Sequence, residues 1–172
     1  VVMNSLTVNL HLLMVSFYKP TKDRYKILIE GGAFPSDQYA VQSQIRFHGF
    51  DPATALVEIF PRSGEALLRK EDILSRIEEE GQCLALVMLG NVNYLTGQCF
   101  DMKSITAAGH GVGAKVGFDL AHGAGNLHLK LNEDGPDFAV WCSYKYLNAG
   151  PGAIAGCFVH ERHKENFSLS RF

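Results

Sequence analysis

This sequence lacks an excess of charge of either sign, since 16 lysines and arginines nearly balance 18 aspartates and glutamates and leave a net charge of -2. It also lacks a long apolar run. Residues 1–17 are interrupted by Asn4, Asn9 and His11 and have no basic flank, so they are too polar for a membrane-spanning helix. We therefore expect neither nucleic acid nor a membrane as a partner.

Closely spaced cysteines are missing as well. The four cysteines, Cys83, Cys99, Cys142 and Cys157, lie far apart, and no CxxC pair occurs. Three of them fall in apolar, strand-like runs, which predicts buried, reduced thiols and a cytoplasmic protein.

The length of 172 residues and the hydrophobic fraction of 47% suit one globular domain with a sizeable core. The chain opens on valine directly before a helical pattern and ends on Ser168–Phe172 without a clear closing element. These ends predict a fragment of a longer protein, so that residues 1–172 form one domain that is incomplete at both ends.

Apolar strand-like runs alternate with helical patterns along the whole chain. Strands are predicted at 25–30, 56–60, 83–89, 115–120, 138–141 and 153–159. Helices are predicted from a start at Ser5-Leu6-Thr7 to Phe17 and at about 35–48, 69–80 and 101–110. This alternation is typical of an α/β fold with a mainly parallel sheet that helices cover on both faces. Ligands of such sheets bind at the carboxyl ends of the strands.

Lys145 follows the predicted strand at 138–141 and lies between two tyrosines, ahead of a glycine-rich turn. A lysine at the end of a buried strand is a candidate for Schiff-base chemistry, because its amine must be neutral part of the time to attack a carbonyl. Taken alone, an ordinary surface lysine is the simpler interpretation. Two further features favour chemistry: Asp119 at a neighbouring strand end, and the helix start at Ser5-Leu6-Thr7.

Pyridoxal phosphate requires three kinds of group that this frame supplies. A lysine captures its aldehyde, a carboxylate keeps its ring nitrogen protonated, and a helix N-terminus with hydroxyl and amide donors binds its phosphate. Lys145, Asp119 and Ser5-Leu6-Thr7 match these needs in turn.

The motifs Phe118-Asp119-Leu120-Ala121-His122 and Trp141-Cys142-Ser143-Tyr144-Lys145-Tyr146-Leu147-Asn148 resemble those of the kynureninase family. So do the earlier segments at 4–11 and Phe34-Pro35-Ser36-Asp37, and the similarity covers essentially the whole chain. It implies the large domain of a fold-type-I pyridoxal-phosphate enzyme. Related desulfurases of aminotransferase class V tend to carry histidine before the lysine, whereas this chain has Tyr144.

The resemblance also implies roles for individual residues. Lys145 would bind the cofactor covalently, Asp119 would pair with its ring nitrogen, and Tyr144 would act at the phosphate and in proton transfer. The full cofactor-binding set implied by the family is Leu6, Thr7, Phe34, Pro35, Ser36, Asp37, Asp119, His122, Tyr144 and Lys145. One position departs from the family pattern, because Gly90 stands where many members have serine. No metal is implied.

The implied reaction is hydrolytic cleavage of L-kynurenine or 3-hydroxy-L-kynurenine to alanine and anthranilate or 3-hydroxyanthranilate, in tryptophan catabolism toward NAD. The family is dimeric, so a homodimer is expected. Two alternatives stay open: another class V enzyme, such as a desulfurase or aminotransferase, or a catalytically silent chain that serves as a binding module.

Two short patterns are interpreted as structural. Residues 109–114 match GxGxxA, but they follow a helix and precede a strand, which predicts a helix end instead of a dinucleotide site. His160 and His163 have HxxH spacing without a nearby third ligand, which favours a solvated helix start over a metal site.

Overall fold

The computed structural model describes residues 1–171 and contains a single six-stranded sheet within them. The strands are β1 (Lys26–Glu30), β2 (Leu56–Ile59), β3 (Leu84–Gly90), β4 (Lys115–Asp119), β5 (Phe138–Trp141) and β6 (Gly156–Val159). They lie in the order β2-β1-β3-β4-β5-β6. All neighbours are parallel except β5 and β6, which are antiparallel. The predicted α/β fold with a mainly parallel sheet is confirmed.

The helices are α1 (Leu6–Phe17), α2 (Pro35–Phe47), α3 (Pro52–Ala55), α4 (Lys70–Glu80), α5 (Met102–Gly111) and α6 (Leu131–Asp134), with 3-10 turns at Gly81–Cys83 and Glu161–His163. The four long helices agree with the sequence prediction to within one residue at each end. The single-turn helices α3 and α6 were not predicted, because four residues are too few to show helical periodicity.

Two apolar cores lie on the two faces of the sheet. One core packs β3 residues Leu86 and Met88 against α1 and α2, and the other packs Val87 and Leu89 against α4 and α5. Because β3 is buried on both faces, its sequence is continuously apolar instead of alternating.

The GxGxxA segment is a helix end, as predicted. α5 ends at Gly111, and Gly113 has a φ of 82° in the turn that leads into β4. Glycine adopts this left-handed conformation without the steric cost that a Cβ would bring.

The prediction of a solvated helix start at His160 and His163 is wrong for His163. This side chain is buried, and its Nε2 lies 2.7 Å from a carboxylate oxygen of the buried Asp137. Sequence spacing could not reveal this contact, because the two residues are 26 positions apart.

The first residues of the chain run beside β6. The amide of Cys157 donates to the carbonyl of Val1 at 2.8 Å, and the amide of Met3 donates to the carbonyl of Ala155 at 2.9 Å. This short ladder holds the chain just before α1 begins. Among residues 1–171, no helix is both long and apolar enough to cross a bilayer.

Candidate active site

A cavity opens at the carboxyl ends of the parallel strands, where ligands of such sheets bind. Its lining comprises Leu6, Thr7, Glu30, Phe34, Ser36, Asp37, Gly90, Val92, Tyr94, Asp119, Ala121, His122, Tyr144 and Lys145. Every residue of the predicted cofactor set lies here except Pro35. Pro35 is instead the first residue of α2, where its fixed φ suits the helix start.

The N-terminus of α1 forms one wall of the cavity. Ser5 caps the helix, with its hydroxyl accepting from the amide of Val8 at 3.4 Å, and Leu6 and Thr7 in the first turn reach the cavity. The first turn carries no acidic residue. Its amides and the helix dipole therefore favour an anion at this wall, and the Thr7 hydroxyl offers a further donor.

Lys145 lies in the loop after β5, and its side chain is only partly exposed. Its Nζ is 3.0 Å from Nε2 of His122 and 5.5 Å from the centroid of the Phe34 ring. Burial, and then the positive charge of Lys145, lower the pKa of His122. His122 is thus neutral near pH 7 and can accept a hydrogen bond from the lysine.

Asp119 is the last residue of β4 and is buried. Its Oδ1 accepts from the amide of Ala121 at 2.6 Å, and its carboxyl also shares a hydrogen bond with that of Asp37. Burial and the nearby Asp119 charge raise the pKa of Asp37 to about 9. Burial raises the pKa of Asp119 as well, but its hydrogen bonds with Asp37 and with the Ala121 amide oppose that rise and favour its ionised form. When the pair holds one proton, that proton therefore lies on Asp37 and the negative charge on Asp119.

Tyr144 reaches the cavity from the residue before the lysine, with about half of its surface exposed. Burial of the phenol, and then the neighbouring Cys142 thiol, raise the pKa of Tyr144. The phenol keeps its proton at neutral pH and is available as a donor.

Glu30 was not predicted, although it lines the cavity and is 3% exposed. Its Oε2 accepts from the amide of Gly90 at 3.0 Å. A signal was present in the sequence, because a glutamate that closes an apolar strand is costly to bury without a partner. The sequence prediction also missed three lining residues whose types do not point to a site, namely Val92, Tyr94 and Ala121.

Comparison with known proteins bears on what this cavity is for. The family model described as aminotransferase class V matches residues 10–169. The chain belongs to the aminotransferase class-V family. Among curated proteins, the kynureninase of Koribacter versatilis is 69% identical over 172 residues, and so is that of Myxococcus xanthus. The kynureninase of Nematostella vectensis is 62% identical over the same length.

These matches cover all of the chain but only part of each relative. The covered share is 41% of the Koribacter protein, 40% of the Myxococcus protein and 37% of the Nematostella protein. The chain thus spans about 40% of the length of the curated relatives it matches. The resemblance to the kynureninase family inferred from the motifs is confirmed.

Solved structures of low sequence identity share the fold. An alanine–glyoxylate aminotransferase from a Nostoc species has a TM-score of 0.75 at 18% identity, covering 100% of this chain and 42% of that one. A C-DES variant with glycine covalently linked to its pyridoxal-phosphate cofactor has a TM-score of 0.74 at 19% identity, covering 95% of this chain and 41% of that one. The fold is that of fold-type-I pyridoxal-phosphate enzymes.

Proposed function

We propose that residues 1–172 form the cofactor-binding large domain of a kynureninase. The observation that carries this proposal is the single cavity in which Lys145, Asp119 and the start of α1 meet. The kynureninases that are 69% identical across the whole chain support the same assignment.

The residues present suit pyridoxal phosphate. The cavity offers an amine, a buried carboxylate and a helix N-terminus, which are the three groups that this cofactor requires. Among residues 1–171, Lys145 is the one lysine or arginine of the lining, and it faces three carboxyls. A cationic ring nitrogen would relieve that excess of acid, so the cavity is electrostatically suited to it.

When bound, the cofactor supplies an aldehyde for amines and a ring that accepts electrons. Lys145 would hold the aldehyde, and its freed amine would then move a proton at the substrate's α-carbon. Asp119 would keep the ring nitrogen protonated, with its charge fixed by the amide of Ala121. Leu6, Thr7 and the other α1 donors would bind the phosphate.

Four further residues would shape the site around the ring. Phe34 would pack against the cofactor ring. The Phe34 ring also makes an edge contact with the Tyr94 ring, with 5.2 Å between the two centroids. Ser36 and Asp37 lie in the first turn of α2 and line the cavity. His122 accepts a hydrogen bond from Lys145. Tyr144, which keeps its proton, would donate at the phosphate or to the substrate.

The proposed reaction is hydrolytic cleavage of the Cβ–Cγ bond of kynurenine or 3-hydroxykynurenine, which releases alanine and an anthranilate. The tyrosine before the lysine favours this reaction over that of a desulfurase.

We further propose a cytoplasmic homodimer. All four cysteines of the described residues are free, which suits a reducing compartment, and large side chains such as Tyr39, Phe47 and Phe60 are exposed and suit a subunit interface.

Cofactor binding is tested by absorbance of the chain titrated with pyridoxal phosphate. We expect a band near the edge of the visible range that is lost in Lys145→Ala and kept in the control Lys22→Ala, which replaces an exposed lysine. An equal band in Lys145→Ala would overturn the assignment of the lysine. No band with the unaltered chain would favour the silent binding module.

The reaction is tested in a chimera in which residues 1–172 replace the matching segment of the Koribacter kynureninase. We expect anthranilate fluorescence on addition of L-kynurenine. Sulfide release from cysteine without anthranilate would assign a desulfurase instead. The unaltered Koribacter enzyme and the Lys145→Ala chimera are the positive and negative controls.

A further inference from the structure

Glu30 is a buried acid of the cavity to which the proposed function assigns no task. It is the last residue of β1, and its Oε1 lies 3.4 Å from the side-chain nitrogen of Asn93 while its Oε2 accepts from the Gly90 amide. Both donors come from β3 and the loop that follows it. The carboxyl is therefore directed across the sheet, away from its own strand.

Gly90 leaves the space that this direction requires. Gly90 and Asp119 are register partners, so β3 separates Glu30 on β1 from Asp119 on β4. A Cβ at position 90 would lie 3.2 Å from Oε1 of Glu30, which is tighter than ordinary van der Waals contact. With glycine there, the Glu30 carboxyl can extend over β3 toward Asp119.

Three acids thus share one cavity. Burial, and to a lesser degree the Asp119 charge, raise the pKa of Glu30 to about 7, while the Gly90 and Asn93 hydrogen bonds act in the opposite direction. The Glu30 charge in turn contributes to the raised pKa of Asp37. The other titratable groups that face the cavity are Tyr94, Asp119, His122, Tyr144 and Lys145.

We propose that Glu30 is a positioning residue whose own charge, across β3 from the Asp37–Asp119 pair, sets how negative the site is at the ring nitrogen of the cofactor. When Glu30 releases its proton to solvent, the site becomes more negative. The pair then holds its proton more firmly, and a cationic ring nitrogen is bound more tightly. The role at the ring nitrogen rests on the proposed function, whereas the effect on the pair does not.

The effect on the pair is measured in the cofactor-free chain by pH titration of side-chain carboxyl carbons in NMR. Glu30→Gln keeps an acceptor for the Gly90 amide but cannot ionise. We expect it to lower the titration midpoint of the Asp37–Asp119 pair by about half a pH unit or more. Glu78→Gln, which removes an exposed acid on α4, should leave the midpoint unchanged. An unchanged midpoint in Glu30→Gln would overturn the proposal.

A second variant covers the case in which Glu30→Gln does not fold. Gly90→Ala keeps the acid but places a methyl group against Oε1. We expect the Glu30 carboxyl resonance and the midpoint of the pair both to shift. If neither moves, the contact across β3 does not link Glu30 to the pair, and the proposal fails.

The effect on the ring nitrogen is measured as Kd for pyridoxal phosphate and for its carbon analogue, in which CH replaces the ring nitrogen. The ratio of Kd in Glu30→Gln to Kd in the unaltered chain should be near one at pH 6 and rise about fivefold by pH 8.5. With the carbon analogue the ratio should not rise. A flat ratio with pyridoxal phosphate overturns the proposal for the ring nitrogen. If the unaltered chain binds no pyridoxal phosphate, the proposed function fails, and the NMR titration still decides the effect on the pair.

Discussion

At the scale of single residues, the site depends on which of two adjacent carboxyls carries the proton. Asp119 accepts from the Ala121 amide at 2.6 Å, whereas the nearest donor to Asp37 is the Ser36 hydroxyl at 3.5 Å. The stronger hydrogen bond favours the ionised form, so the charge stays on Asp119 and the proton on Asp37. The two residues are of the same type, but only one of them carries a charge.

This difference predicts the effect of Asp119→Asn in the chimera with the Koribacter kynureninase. We expect kcat/KM for kynurenine to fall about a hundredfold or more, because an amide cannot hold a proton on the ring nitrogen. The absorbance band of the bound cofactor should persist, since Lys145 is intact. Steady-state anthranilate fluorescence measures the first effect, and a variant with full activity would contradict the assignment.

The Asp37→Asn variant is the matched comparison. Asparagine can replace a protonated aspartate as a donor to Asp119, so we expect a much smaller loss of kcat/KM than in Asp119→Asn. Equal losses in the two variants would show that both carboxyls must ionise.

At the scale of elements, helix α5 packs closely against β4 at one of its glycines and leaves free space at another. A Cβ at Gly109 would lie 2.5 Å from Cγ2 of the buried Val116 on β4, whereas a Cβ at Gly111 would meet nothing within 4 Å. The two glycines are two positions apart in the same helix. One permits close packing, and the other has space for a side chain.

Alanine substitutions at these two positions should therefore have different effects. Gly109→Ala should lower the free energy of unfolding by about 1–3 kcal/mol, because the methyl group overpacks a β-branched side chain. Gly111→Ala should be neutral or stabilising by up to about 1 kcal/mol, because alanine favours the helix. Urea unfolding of the two variants measures both values. A larger loss in Gly111→Ala would contradict the packing described here.

The elements also show what sequence reasoning can and cannot recover. The long helices and the strands followed from periodicity, and the positions of Asp119 and Lys145 followed from the rule that ligands bind at strand ends. Glu30 closes the predicted strand at 25–30, so the same rule could have placed it at the site, but not its contact with Gly90, which is 60 residues away. His163 could not be placed in this way, because its partner Asp137 is 26 residues away. Burial of a polar residue against a distant partner is a property of tertiary packing, which no local pattern reports.

At the scale of the whole molecule, buried acids lie at both ends of the sheet and respond oppositely to pH. At the end away from the cavity, Asp137 precedes β5 and accepts from the Val116 amide, His110 and His163. Burial alone would raise the pKa of Asp137, but these hydrogen bonds hold it well below its usual value. Its contribution to stability is present above about pH 4 and is lost as the pH falls.

The cluster around Asp137 joins α5, β4 and the 3-10 turn at Glu161–His163. We expect Asp137→Asn to lower the free energy of unfolding at pH 7 by about 2–3 kcal/mol, because hydrogen bonds to a buried charged group are lost. Asp23→Asn, which alters an exposed aspartate, should change it by less than about 0.5 kcal/mol. Similar values for the two variants in urea unfolding would contradict a structural role for the cluster.

The acids of the cavity have the opposite pH dependence. The pKa of Glu30 is about 7 and that of Asp37 about 9, both above the values of the unfolded chain. The folded state therefore binds more protons between about pH 4 and 9, so its stability falls as the pH rises through that range. Thermal unfolding of the cofactor-free chain at pH 5, 7 and 9 should show a falling Tm.

Glu30 contributes on the order of 3 kcal/mol to this fall, because folding raises its pKa from 4.5 to about 7. Glu30→Gln should make the profile flatter between pH 5 and 7, and Glu78→Gln should leave its slope unchanged. A Tm that rises from pH 5 to 9 would show that the cavity acids are not protonated in the folded state.

The ladder between residues 1–3 and β6 has a consequence for the order in which the molecule assembles. The Cys157 amide and its partner, the Val1 carbonyl, are 156 positions apart in sequence. A ribosome makes the polypeptide from its N-terminus, so the segment that leads into α1 emerges long before the strand that secures it. The wall with Leu6 and Thr7 is therefore synthesised earlier, and this ladder secures it only after the loop with Lys145 has also emerged. Contacts so far apart in sequence form late in folding, because a long loop must close before they are made.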